Sequence, residues 1–113
     1  MSDENKLLGI VGICRRAGKA VIGTPMICEH LRKKGISKGG DDCEIIVLEA
    51  SDTSDNTHKK LKDKCIYYNV KHIRLSSTCE MLGRAVGKSA VAAVAVADRN
   101  FCRAVLEKIS QDQ

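Results

Sequence analysis

One stretch, Glu44 to Leu61, limits what this chain can fold into more than any other. Ile45-Ile46-Val47-Leu48 is a continuous apolar run, the pattern of a strand buried on both faces, because neither side needs to be polar. Glu49-Ala50 ends the run, and Ser51, Asp52, Thr53, Ser54, Asp55 and Asn56 follow. Short polar side chains of this kind hydrogen-bond to the nearby backbone and favour turns and helix N-caps. Helical spacing then sets in at Leu61, Cys65 and Tyr68. The stretch reads as strand, polar loop and helix, with the loop at the carboxyl end of a central strand. In open α/β sheets that end is where ligands usually bind. A solvated helix cap accounts for the same polar cluster, so the cluster alone assigns no ligand.

The flanking segments repeat the alternation. Ser2-Asp3 starts a helix that runs to about Arg16, with Leu7, Leu8, Val11 and Cys14 as its apolar stripe. Gly9 and Gly12 weaken this helix but permit close packing. Gly18 is placed for a left-handed C-cap, and Arg15, Arg16 and Lys19 complement the negative end of the helix dipole. Ala20-Val21-Ile22 is a short strand. Thr24 then suits an N-cap and Pro25 the first helical position, where its missing N–H costs nothing. That helix exits through Arg32-Lys33-Lys34 to Gly35, and Ser37 to Asp42 is a loop. Asn69 ends the third helix in the left-handed region. Val70 to Leu75 is a strand with Ile73 and Leu75 on one face, and with His72 and Arg74 on the other as surface residues. Ser77-Thr78-Cys79-Glu80 reads as a capping box, serine at the N-cap and glutamate at N3. A short helix follows and stops at Gly87. Val91 to Val96 is a second interior strand, whose alanines let helices approach the sheet. Asp98 caps a last helix with Phe101, Cys102, Val105, Leu106 and Ile109 facing inward, and Ser110 to Gln113 is a polar, frayed tail.

Helix and strand alternate from end to end, which argues an α/β fold: a three-layer α/β/α sandwich around a small mixed sheet of about four strands. At 113 residues the whole chain, 1–113, fits one domain, since domains run to ~100–200 residues. The apolar fraction of 43% can fill a core, but aromatic residues make up only 3%, so that core must be aliphatic and cysteine-filled. The six cysteines form no CxxC or CxxH half-site, and most fall on apolar helical positions. With no charged-then-apolar leader and no long apolar span, the expectation is a cytoplasmic protein with reduced core thiols, no metal and no membrane partner.

Enzyme chemistry has nothing firm to stand on. There is no GxGxxG after a strand, no GxxxxGK[ST] and no GxSxG. His30, His58 and His72 lie far apart with no paired carboxylate spacing, and Cys28 shares a face with Leu31 as a core residue would. No catalytic residue and no cofactor is assigned. The net charge of +5 suits a polyanionic partner. The helix starts at Thr24-Pro25 and Ser77-Thr78 follow strands that would be neighbours. Both would then open on one sheet edge, with N–H groups suited to phosphate. Lys19, Arg84 and Lys88 would add charge near it. That shape fits a nucleic-acid backbone with unstacked bases read by the two loops.

The segments Arg16-Ala17-Gly18-Lys19, Ile22-Gly23-Thr24, Ser51-Asp52, Asp63-Lys64-Cys65 with Tyr67-Tyr68-Asn69-Val70, and Leu82-Gly83-Arg84-Ala85-Val86-Gly87 before the alanine-valine strand carry a family resemblance. From about Lys6 to Ile109 the chain resembles the ribosomal L-seven-Ae and L-thirty-e family of kink-turn RNA-binding proteins, in its small bacterial branch. The resemblance implies the α/β/α sandwich. It implies RNA contacts from the Gly23 turn with Thr24, Pro25 and Met26, and from the loop Leu75, Ser76, Ser77 and Thr78. Kink-turn binders follow their turn glycine with a pattern like Ala-Asn-Glu-x-Thr-Lys, in which asparagine and glutamate read guanines and lysine meets phosphate. Here Pro25, Met26 and Glu29 stand instead, so the fold carries over further than kink-turn specificity does. The expectation is non-enzymatic binding of structured RNA, ribosomal or otherwise, with ribosome-associated proteins as further partners. Two other classes remain open: a protein–protein adaptor built around Met26-Ile27, and a small-molecule or phosphate binder at Ser51–Asn56.

Overall fold

The computed structural model describes residues 3–36 and 43–111, so the expected loop from Ser37 to Asp42 lies outside the described residues. The elements in order are α1 (Asp3–Arg16), β1 (Ala20–Ile22), α2 (Thr24–Lys34), β2 (Ile46–Glu49), α3 (Asp55–Tyr67), β3 (Lys71–Arg74), α4 (Cys79–Ala85), β4 (Ala93–Val96) and α5 (Arg99–Gln111). The expected tail is thus helical through Gln111.

The four strands form one sheet in the order β1-β4-β2-β3. β2 pairs in parallel with β3, while β4 runs antiparallel to both β1 and β2. β1, β2 and β3 therefore point the same way, and their carboxyl ends share one end of the sheet. The expectation that β1 and β3 are neighbours is corrected: they are the two outer strands. The reason is β4. Its Val94 pairs with Ile22 on one side and with Leu48 on the other, so the last strand occupies the place between them.

Register explains the two cores. Ile46, Leu48, Val94 and Val96 face one way and pack with Leu7, Val11, Cys14, Leu82, Cys102 and Val105 of α1, α4 and α5. Val47, Ala93 and Ala95 face the other way and pack with Ile27, Leu31, Leu61 and Cys65 of α2 and α3. This is the three-layer sandwich. Each fully buried aliphatic side chain contributes roughly 1.5–3 kcal/mol of transfer free energy, and few aromatics are needed. Gly12 lets α1 lie against α4, since a Cβ there would sit 2.8 Å from the Ala85 carbonyl oxygen. Gly9 has no such neighbour.

Two caps differ from expectation. Gly23, not Thr24, is the N-cap of α2, with φ of 91°, and Pro25 is the second helical residue. Thr78, not Ser77, caps α4: its Oγ1 accepts from the Met81 amide at 3.2 Å, while Glu80 pairs with Arg84 instead of closing a box. Asp98 accepts from the Phe101 amide and Asn69 adopts φ of 56°, as read, and within the polar cluster it is Ser54 that caps α3, accepting from the Thr57 amide.

Candidate functional site

At the common carboxyl end of β1, β2 and β3 the backbone hydrogen bonds continue past the strands. The Gly23 amide donates to the Ala93 carbonyl, Ala50 to Ala92, Leu75 to Glu49 and Ser51 to Ser77. The start of α2, the start of β4, the loop after β2 and the loop after β3 are thereby tied into one edge. At one end of this edge Pro25 and Met26 project into solvent; Met26 is 60% exposed. Beside them, Thr24 Oγ1 is buried with no hydrogen-bond partner among the described residues. At the other end Ser76 is exposed, whereas Leu75 and Ser77 are buried.

The backbone donors of the second loop are already engaged. Glu4, at the start of α1, accepts from the amides of Ser76 and Ser77 and from the Ser77 hydroxyl. Asp52 accepts from the Cys79 amide at 2.7 Å, and those hydrogen bonds hold its carboxyl below the usual range. Two carboxylates thus fill the positions that a phosphate was expected to take. A start signal at Ser77-Thr78 cannot reveal this, because Glu4 lies more than seventy residues away.

The basic residues are placed elsewhere. Lys19 precedes β1, so it lies at the opposite end of the strand from Gly23, ~13 Å away over four residue steps. Arg84 is in the last turn of α4 and shares a shallow groove with Arg15 and Arg16 of α1. Lys88 follows α4 and is exposed. The sequence brings Gly23, Thr24, Pro25 and Met26 to one edge with Leu75, Ser76, Ser77 and Thr78, but sets Lys19 and Arg84 back from it. Glu29 is held by Arg32 at 2.6 Å.

A group that sequence reasoning missed sits below the same edge. Glu49, the last residue of β2, is fully buried. Its carboxylate meets Nδ1 of His58 at 2.9 Å and Nε2 of His72 at 2.7 Å, and it accepts a hydrogen bond from Thr53. Arg74 Nε lies 3.9 Å away. Burial alone would raise this carboxyl, but the hydrogen bonds from Thr53, His58 and His72 together outweigh it and hold Glu49 below the ordinary range. The expected surface histidine at 72 is therefore corrected: its side chain is only 14% exposed. Parallel pairing sets Val47 opposite His72, so Glu49, two residues on, stands diagonally across the same face, within reach of a long side chain.

Comparison with known proteins follows this geometry. No family model matches the chain. The RNA-binding protein YlxQ of Bacillus subtilis (strain 168) is 34% identical over 97 residues, covering 86% of this chain and 88% of the relative. The chain belongs to the L-seven-Ae family of RNA-binding proteins. YlxQ of Enterococcus faecium is 33% identical over 79 residues, 70% of this chain and 69% of its own. Among solved structures, a protein with unknown function from Bacillus halodurans C superposes with a TM-score of 0.78 at 28% identity, covering 93% of this chain and 97% of that one. The Giardia lamblia 15.5kD RNA binding protein, at 17% identity, shares the fold with a TM-score of 0.71 over 97% of this chain and 87% of its own. Within the family's fold, the departures at Pro25, Met26 and Glu29 stand on the outer surface of the first turns of α2, not in the core. Among the described residues no helix is long and apolar enough to cross a membrane.

Proposed function

We propose that this chain binds structured RNA, without catalysis, at the edge joining the Gly23–Met26 turn to the Leu75–Thr78 loop. The observation that carries the reading is the hydrogen-bonded continuity of that edge. It holds an exposed proline and methionine in fixed relation to Ser76, as recognition of an RNA shape requires. Membership in a family of RNA-binding proteins supports it. The turn presents apolar surface on which unstacked bases pack, and the buried Thr24 hydroxyl offers an unused donor and acceptor beside them. Lys19, Arg84 and Lys88 serve a longer duplex arm, through phosphate contacts that carry affinity and not sequence. Kinked RNA, ribosomal or other, fits a footprint with one apolar corner and a set-back basic flank; ribosome-associated proteins are the natural further partners.

The test is a titration of the protein against one kink-turn RNA and a straight duplex over a salt series. Affinity is expected to fall steeply with salt, because neutralised phosphates release counterions. Lys19→Ala and Arg84→Ala should weaken both RNAs alike, and Met26→Ala should reduce the preference for the kinked one. The triple change Pro25→Asn, Met26→Glu, Glu29→Lys should raise that preference, by roughly 1–3 kcal/mol for each base contact regained. Absence of RNA binding at low salt overturns the reading and favours the adaptor class, with Met26 as the exposed apolar anchor.

A further inference from the structure

We propose that Glu49, His58 and His72 form a binding site for one divalent transition-metal ion of the zinc class. One oxygen of Glu49, Oε1, faces Nδ1 of His58 at 2.9 Å and Nε2 of His72 at 2.7 Å. The three ligand atoms all lie within 4.8 Å of one another. Each comes from a different element, the end of β2, the start of α3 and β3, so the set is held by the parallel β2–β3 pair and the helix that joins them.

Zinc bonds nitrogen and oxygen at ~2.0–2.2 Å, which puts tetrahedral ligand atoms ~3.3 Å apart. The two carboxylate–imidazole separations need to open by only about 0.5 Å to reach that spacing, and the two ring nitrogens already lie within 4.8 Å of each other. Each imidazole then keeps its proton on the nitrogen facing away, and the lone pair turned toward Glu49 becomes the ligand. Two imidazoles and one carboxylate select zinc, cobalt, nickel or copper over magnesium and calcium, which prefer all-oxygen sets. Thr53 bonds Oε2, while Oε1 meets only the two histidine nitrogens among the hydrogen bonds of the described residues, so Thr53 is the orienting partner a ligating carboxylate requires. The entry side is His58, whose side chain is 33% exposed while Glu49 is 0%. Three protein ligands with a solvent-facing fourth position make an open site. Arg74, 3.9 Å from Oε2, opposes the ion and limits its affinity.

The same three groups without metal are a buried carboxylate accepting from two histidines, and the experiment separates the two. Metal-free full-length protein is titrated with zinc chloride against a chromophoric chelator, and separately with cobalt chloride while the visible spectrum is recorded. One ion per chain is expected, with cobalt ligand-field bands and no thiolate-to-cobalt charge transfer. Glu49→Gln and His72→Gln should each weaken binding by at least the roughly 10–100-fold that loss of a ligand's orienting partner costs. Because either change touches a buried group, His58→Ala at the exposed side gives the same test in a chain whose fold is checked by circular dichroism. The proposal is overturned if zinc binds no tighter than to His58→Ala. It is equally overturned if cobalt shows thiolate charge transfer that disappears on substituting Cys28 and Cys79. RNA titration of the metal-free protein is independent of either result.

Discussion

At the scale of single residues, two glycines of similar appearance have opposite roles. A Cβ on Gly83 would fall 2.7 Å from the Ala90 Cα and 2.8 Å from its nitrogen, both backbone atoms, whereas nothing lies within 4 Å of one on Gly9. Gly83→Ala should destabilise the fold by about 1–3 kcal/mol, the range for overpacking, while Gly9→Ala should stabilise it by about 0.5–1 kcal/mol by relieving a helical glycine. Urea midpoints check both. Asp52 and Cys79 are coupled in the same local way. Burial and the neighbouring Asp52 carboxylate push the Cys79 thiol up to about 11, so Asp52→Ala should lower it and speed alkylation of Cys79 in mild alkali. The carboxyl of Asp52 is itself lowered by hydrogen bonds from the Cys79 thiol and then from the Cys79 amide. Its contribution is therefore full above its ordinary value of about 3.9, and is lost as pH falls through the lower native value. Stability curves of the native protein and Asp52→Asn should converge in acid.

At the scale of elements, local pattern was a good guide and long-range partnership was not. The apolar runs, Gly18, Asn69, Ser54 and Asp98 act on their own neighbours, and α1 and β1 begin and end within a residue or two of where the pattern puts them. Ser77 was misread because its hydroxyl and amide are claimed by Glu4, from the first turn of α1. Glu49 and His72 were misread because their encounter depends on the β2–β3 register, which neither segment encodes alone. The outer placement of β1 and β3 was hidden because β4, which comes last, inserts between β1 and β2. The Glu4 bridge yields a prediction at this scale. Glu4→Ala leaves a buried Ser77 amide and hydroxyl unpaired and should cost about 1–3 kcal/mol. Hydrogen exchange should show the loss first at Ser76 and Ser77, ahead of the core amides of β2.

For the whole molecule, the six cysteines and the chain's order matter most. Cys14, Cys65 and Cys102 are buried, and burial pushes their thiols up to about 11, about 12 and about 12. Six thiols should be titratable in denaturant without reductant, and these three should be the slow ones in native protein, a difference that timed alkylation with mass spectrometry resolves. The sheet has a further property of its own. β4 supplies both hydrogen-bonded seams that unite β1 with the β2–β3 pair, and it follows all three of those strands in the chain. As the polypeptide is synthesised, β1, β2 and β3 all emerge before those seams can form. Until then Val47 and Leu48 have one open flank, and β1 has no partner at all. The nascent protein must therefore shelter an unfinished sheet until β4 emerges, and a nonsense codon just before Ala93 would release a chain with both seams unmade.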